Sequence, residues 1–290
     1  MEAGEDIVEE PTTDREARTA RPFLMSAIID AAGATHPGRM RTRNEDAFEI
    51  LLDIGLAMVA DGLGGHAAGD IASRMAIQEV ADYLRDLDVD PTKPDVNDEG
   101  ALPRPTMDLL ALAVQHANRE IHLAGRRFPV TAGMGATFAA LLVVRGFAIV
   151  AHVGDSRVYL LRDGQLYRLT EDHSRAAEHA RALGLGSSAA LSRAHDGALT
   201  RCLGAWPRVD VTITAERRAP GDVFVICSDG LWSVVPEETI ARILADTPDV
   251  GDAADLLIDE ANAAGGPDNI TAVVVRALAP SMTSTAPPPG

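Results

Sequence analysis

The 290-residue chain has only two cysteines, Cys202 and Cys227, and they form no close pair. That excludes a disulfide framework and a thiolate zinc site. Cys227 lies inside an apolar run and reads as a small buried residue, which suits a reducing cytoplasm. Basic residues are also scarce: 26 Lys and Arg stand against 43 Asp and Glu, for a net charge of -17. Nucleic acid requires basic patches for its phosphates, so it is excluded as a partner. The first 22 residues contain no apolar core segment, so no signal peptide is expected. No apolar run reaches the length of a membrane span. The longest, 136–153, is interrupted by Arg145-Gly146 and reads as a hairpin.

What remains is the composition of an ordinary globular protein, with 46% hydrophobic and 24% charged residues, enough for a sizeable core. Residues 1–22 are polar and acidic, and 278–290 are rich in Pro, Ser and Thr; both ends are expected to be disordered. A loose stretch at 88–105 reads as a surface loop between two helices, 67–87 and 107–124. Strands are expected at 26–33, 47–52, 55–61, 137–144, 147–154, 157–162, 165–170, 209–216, 222–229 and 270–278. Two more helices fit 236–246 and 251–264. Arg145-Gly146 and Asp163-Gly164 fit tight hairpin turns. Hairpins with paired helices disfavour a parallel βαβ fold. The expected class is α+β, with stacked antiparallel sheets flanked by helices.

Five aspartates recur in one setting. Asp61 in "GLAMVADGLGGH" and Asp229 in "VFVICSDGLW" each close an apolar run and precede a glycine. Asp46 in "RTRNEDAF" and Asp268 in "GGPDNITAVVV" open strands, and Asp155 in "AHVGDSRVYLL" sits at a bend between two. Any one of them alone is a turn or cap residue. Together they offer hard oxygen donors with no His or Cys cluster, a donor set suited to Mg²⁺ or Mn²⁺. Gly62 would let its own carbonyl approach a cation closely. Carboxylates gathered at one rim would repel one another, and divalent cations remove that cost. A cation pair also lowers the pKa of a water and clamps a phosphoryl group. Arg41 is a candidate phosphate ligand through its guanidinium fork, but spacing alone does not separate it from Arg39 and Arg43.

These segments resemble the metal-dependent serine/threonine protein phosphatases, the PPM or type 2C family, in their bacterial form. The matching pieces are "RTRNEDAF", "VADGLGGHAAGDIAS", "GATFAALLV", "AHVGDSRVYLLRDGQLYRLTEDHS", "ALTRCLG", "VFVICSDGLW" and "GGPDNITAVVV". They occur in the family's order and span about residues 26–277, and as a set they are specific.

The resemblance implies a four-layer α/β/β/α sandwich, within one catalytic domain at 23–277 that carries a flap near 174–205. It implies two or three divalent cations, Mn²⁺ or Mg²⁺, at one end of the sandwich. Asp61 would bridge two of them, the Gly62 carbonyl would bind one, and Asp229 and Asp268 would bind the other. Asp46 would hold water bound to metal, and Asp155 would help hold a third, weaker ion. The spacing to Asp46 selects Arg41 as the phosphate-binding arginine. The implied reaction is hydrolysis of phosphoserine and phosphothreonine by in-line attack of a metal-bridged hydroxide, with no phosphoenzyme. The implied partners are phosphorylated proteins, targets of serine/threonine kinases, met by a monomer.

Two departures stand out. Leu63 occupies the position where many eukaryotic members carry a general-acid histidine. His66 matches a histidine further along in bacterial members and is either the proton donor or a cap of the helix beginning near Ala67. The stretch 174–196 corresponds to the flap and matches poorly. A phosphatase of the partner-switching type is the nearest rival, but such relatives generally lack the flap and the arginine. A catalytically silent scaffold would lack one of the metal acids, and none is missing. A phosphoamide or small-molecule phosphatase would use the same metal centre.

Overall fold

The computed structural model describes residues 29–64, 67–86, 102–144, 146–184 and 198–278. The expected disordered N-terminus, residues 279–290 of the tail, most of the 88–105 loop, the middle of the flap and His66 lie outside the described residues.

Two antiparallel sheets form the centre. One has the order β1-β11-β10-β7-β8, built from Ile29–His36 (β1), Ile270–Ala277 (β11), Val223–Cys227 (β10), Arg157–Arg162 (β7) and Gln165–Arg168 (β8). The other has the order β2-β3-β5-β6-β9, built from Asp46–Leu51 (β2), Leu56–Leu63 (β3), Phe138–Val144 (β5), Phe147–Val153 (β6) and Thr212–Arg217 (β9). The short strand Gly135–Ala136 (β4) pairs with the end of β3. Helices Ala67–Asp86 (α1) and Arg104–Arg127 (α2) cover the outer face of the β3 sheet. A short helix, Arg175–Ala182 (α3), opens the flap region. Asp229–Trp232 is a single helical turn (α4), and Glu237–Asp246 (α5) and Val250–Ala263 (α6) cover the other sheet.

The central strands β3, β5, β6, β10 and β11 read as near-continuous apolar runs because they are buried on both faces, while β8 and β9 at the sheet edges are polar and partly exposed. Side chains alternate between faces along a strand. In β3, Val59 joins the core between the sheets while Met58 packs under α1 and α2. In β10, Phe224 and Ile226 face the partner sheet, and Val225 faces α5 and α6. Val59, Leu141 and Val150 meet Val158, Ile226 and Val273 in the central layer. The result is the expected α/β/β/α stack.

Several boundaries differ from the sequence reading. Helix α2 starts at Arg104, with Pro105 in its first turn, where a missing N–H costs nothing. The Asp163-Gly164 turn is as expected, with positive φ at both residues (51° and 76°). Neither Asp-Gly ending is a turn. Strand β3 continues through Gly62 to Leu63, and Asp229 opens α4 rather than closing β10. Both glycines are instead required for space. A β-carbon on Gly62 would lie 2.1 Å from the Gly69 carbonyl oxygen, and one on Gly230 would lie 1.9 Å from the Asn269 carbonyl oxygen.

Candidate metal centre

Antiparallel order brings the five aspartates to one rim. Neighbouring strands run in opposite directions, so the start of one lies beside the end of the next. In the first sheet, β7 starts at Arg157 opposite Cys227 at the end of β10, and Cys227 also faces Ala272 near the start of β11. Asp155 precedes β7, Asp229 follows β10 and Asp268 precedes β11, so these three acids share one end. In the second sheet, Asp46 at the start of β2 is directly opposite Asp61 near the end of β3.

Asp46 joins the two sheets. It is buried, and its Oδ2 accepts hydrogen bonds from Ser228 Oγ and Thr271 Oγ1, each at 2.7 Å. Ser228 Oγ in turn accepts from the Thr271 N–H at 3.0 Å. Asp61 is placed by its backbone. Its N–H donates to Thr137 Oγ1 at 3.0 Å, and that hydroxyl pairs with Ser156 Oγ at 2.7 Å. The Gly62 N–H donates to the Glu45 carbonyl at 3.1 Å, tying the acid to the residue before Asp46.

Asp155 lies where the chain crosses from β6 in one sheet to β7 in the other. Its carbonyl accepts from Trp232 Nε1 at 2.9 Å. Asp268 Oδ2 accepts from Arg41 Nη2 at 2.8 Å, on the exposed side of the site. Of the three candidate arginines, Arg41 is the one whose guanidinium reaches a site acid.

The electrostatics are those of crowded, buried carboxyls. Burial pushes Asp46 up to about 7, against the lowering effect of its two hydroxyl donors. Burial, with the charges of Asp46 and Asp229, holds Asp61 well above the usual carboxylate range. Asp155 is pushed up to about 7 by burial and the Asp229 charge, and Asp229 to about 6 by burial and Asp268. Asp61 and Asp229 are close enough for each to act on the other's proton affinity. Asp46 Oδ1 and Asp229 Oδ1 are buried with no hydrogen-bond partner. Among the described residues, no three carboxyls converge on one point as a closed cage. The carboxyls repel while ionised, and a divalent cation between them would draw them together. Buried, unpartnered carboxylate oxygens of hard donor character therefore fit Mg²⁺ or Mn²⁺.

The sequence reading missed the groups that hold these acids in place. Ser228 precedes Asp229 and Thr271 follows Asn269-Ile270 in the motifs, and only the fold turns them toward Asp46. Asn269 pins the Arg41 loop to β11. Its Nδ2 donates to the carbonyls of Pro37 (2.9 Å) and Arg43 (2.7 Å), and its Oδ1 accepts from the Glu45 N–H (2.8 Å). Beneath Asp155, Arg157 forms a buried fork on Asp172, with Nε to Oδ1 at 2.9 Å and Nη2 to Oδ2 at 2.6 Å. His152 and His173 stack with ring centres 4.5 Å apart below the flap base.

A two-sheet sandwich with five aspartates and an arginine at one rim defines a candidate metal-dependent phosphohydrolase. The family model described as Protein phosphatase 2C matches residues 33–260, and the chain belongs to that family. The serine/threonine phosphatase stp of Listeria monocytogenes is 34% identical over 245 residues, covering 83% of this chain and 93% of that protein. The serine/threonine protein phosphatase PstP of Mycobacterium tuberculosis is 34% identical over 253 residues, covering 86% of this chain and 45% of that protein. The solved catalytic domain of PstP in complex with two manganese ions superposes with a TM-score of 0.70 at 33% identity, covering 86% of this chain and 97% of that one.

Proposed function

We propose that this protein hydrolyses phosphoserine and phosphothreonine in other proteins, with divalent cations held at the rim. The carrying observation is the pair of buried, unpartnered oxygens on Asp46 and Asp229 within a set of acids whose protons are held by burial and mutual repulsion. In this reading Asp61, the Gly62 carbonyl, Asp229 and Asp268 are the ligands of two cations. Asp155 would help to hold a third, and Asp46 would hold water bound to metal. The cations when bound are Mn²⁺ or Mg²⁺, and they acidify water and neutralise phosphoryl charge. Arg41 lies on the open side, where its guanidinium fork would meet the phosphate.

The nearby hydroxyls are engaged in structure. Ser228 Oγ donates to Asp46 and accepts from Thr271 N, while the Thr137 and Ser156 hydroxyls pair with each other. That supports water rather than a serine as the nucleophile, and hence no phosphoenzyme. His66 is retained as a candidate proton donor for the leaving alkoxide. The substrates in this reading are proteins phosphorylated by serine/threonine kinases, met by a single copy of the chain in the cytoplasm. Among the described residues no helix is long and apolar enough to cross a membrane.

Hydrolysis of a phosphothreonine peptide tests the reading. Chelation should abolish it, and Mn²⁺ or Mg²⁺ should restore it. Full turnover in excess chelator would overturn the metal mechanism.

A further inference from the structure

The bend that carries Asp155 lies outside the strand ladders. There the chain leaves β6 and enters β7 in the opposite sheet, so the Asp155 carbonyl has no ladder partner. Trp232 supplies the partner, its Nε1 donating at 2.9 Å. Trp232 is also the last residue of the helical turn that opens on Asp229. Residues three apart lie on one side of such a turn, so the indole and the Asp229 carboxylate face the same way.

The indole is itself held from below. The Arg157 guanidinium carbon lies 3.5 Å from the centre of the Trp232 rings. Arg157 is only 1% exposed, and its donors are committed elsewhere: Nε and Nη2 to Asp172, Nη1 to the Tyr159 hydroxyl at 2.8 Å. A guanidinium fixed on three sides offers one flat face, and the indole rests on it. The Asp155 and Asp229 carboxylates lie near enough to repel each other. The β7–β10 ladder, with Cys227 opposite Arg157, sets both acids at one end of the sheet, and the Trp232 N–H ties the Asp155 bend, just before β7, to the Asp229 turn, just after β10.

We infer that Trp232 is a positioning residue for Asp155: its indole N–H, aimed by the Arg157 platform, fixes the spacing between the Asp155 bend and the Asp229 turn. The inference rests on the metal-phosphatase reading above. Trp232 touches no reacting atom. It sets how well the Asp155 carboxylate can join Asp229 on a weakly held cation, while the tighter pair, held by Asp61, the Gly62 carbonyl, Asp229 and Asp268, does not depend on Asp155.

Trp232→Phe tests this because it keeps an aromatic face on Arg157 and deletes only the N–H. Mn²⁺ titration by calorimetry should show the weakest binding phase about five-fold weaker, the factor for one net hydrogen bond of ~1 kcal/mol. The tight phase should be unchanged. With phosphopeptide, the Mn²⁺ concentration for half-maximal turnover should rise by a similar factor, with KM for peptide unchanged. In an Asp155→Ala background, Trp232→Phe should add nothing, since groups acting through one another are not additive. Additive losses, or wild-type metal binding in Trp232→Phe, would overturn the inference. A merely structural tryptophan would lower the melting temperature and the active fraction without moving the metal titration, and that result also overturns it. Absence of metal-stimulated turnover in the wild-type protein would instead count against the phosphatase reading, and calorimetry would still judge Trp232.

Discussion

Arg41 Nη2 rests 2.8 Å from Asp268 Oδ2, so the arginine assigned to phosphate is paired with an acid assigned to a cation. The pair is open to solvent, with side chains 57% and 34% exposed, so it adds little to stability. In the proposed reading it places a positive charge beside a cation ligand, so guanidinium and cation would compete for the Asp268 carboxylate.

Arg41→Ala should therefore bind Mn²⁺ at least as tightly as the wild-type protein. Its KM for phosphopeptide should rise ~10- to 100-fold, the range for losing a charge-assisted contact of ~1.5–3 kcal/mol. Arg41→Lys should recover little of that loss, because an ammonium has no fork. Calorimetry and steady-state kinetics on both variants check this. Weaker Mn²⁺ binding by Arg41→Ala would mean that the arginine orders Asp268 rather than competing for it.

The stability of the metal-free protein should fall as pH rises from about 4 to about 7. Asp46 and Asp155 are raised to about 7 and Asp229 to about 6, so the folded chain holds protons that the unfolded chain releases near pH 4. Wherever the folded state binds more protons, stability declines with pH. Thermal melts in chelator should thus show a higher midpoint at pH 5 than at pH 7.5. Saturating Mn²⁺ should reverse the order, because cations bind the ionised acids. Asp229→Asn removes one charge, so in chelator at pH 7.5 it should melt no lower than the wild type. A chelator melt that climbs steadily from pH 5 to 7.5 would contradict the crowding of these carboxyls.

Thr271→Val keeps the shape of the side chain and deletes one of the two hydroxyls on Asp46 Oδ2. A buried carboxyl oxygen losing a donor should cost ~1–3 kcal/mol of stability. Turnover should fall with little change in KM, since in the proposed reading Asp46 would act on water bound to metal and not on the peptide. Chemical denaturation and kinetics with phosphopeptide would test both parts. A KM effect larger than the kcat effect would place Thr271 in substrate binding instead.

Much of the site was legible in the chain. Each acid stands beside a strand end with a distinctive neighbour, and a strand end is visible as the close of an apolar run. The central strands of both sheets are buried on two faces, so they lack polar alternation and are easy to find. A turn and a close backbone approach both demand a missing β-carbon, so the chain alone does not say which of the two Gly62 and Gly230 serve. Only the position of the Gly69 and Asn269 carbonyls distinguishes the two. Asn269 escaped notice for a similar reason: its amide ties together Pro37, Arg43 and Glu45, more than 220 residues earlier.

The sequence by itself determined the chemical type of the site. Acids without histidine or cysteine clusters select hard cations, and their motifs in order select the family. Tertiary structure decided which acids meet and what holds them. Asp46 is joined to Ser228 and Thr271 across 182 and 225 residues, and Asp155 to Trp232 across 77. Local patterning records which face of a strand is buried, with a period of two residues. It does not record the order of strands in a sheet or the packing of one sheet on another. Those are set by the summed burial of side chains such as Val59, Val158, Ile226 and Val273 between the layers, and the spacing of the carboxyls follows from them.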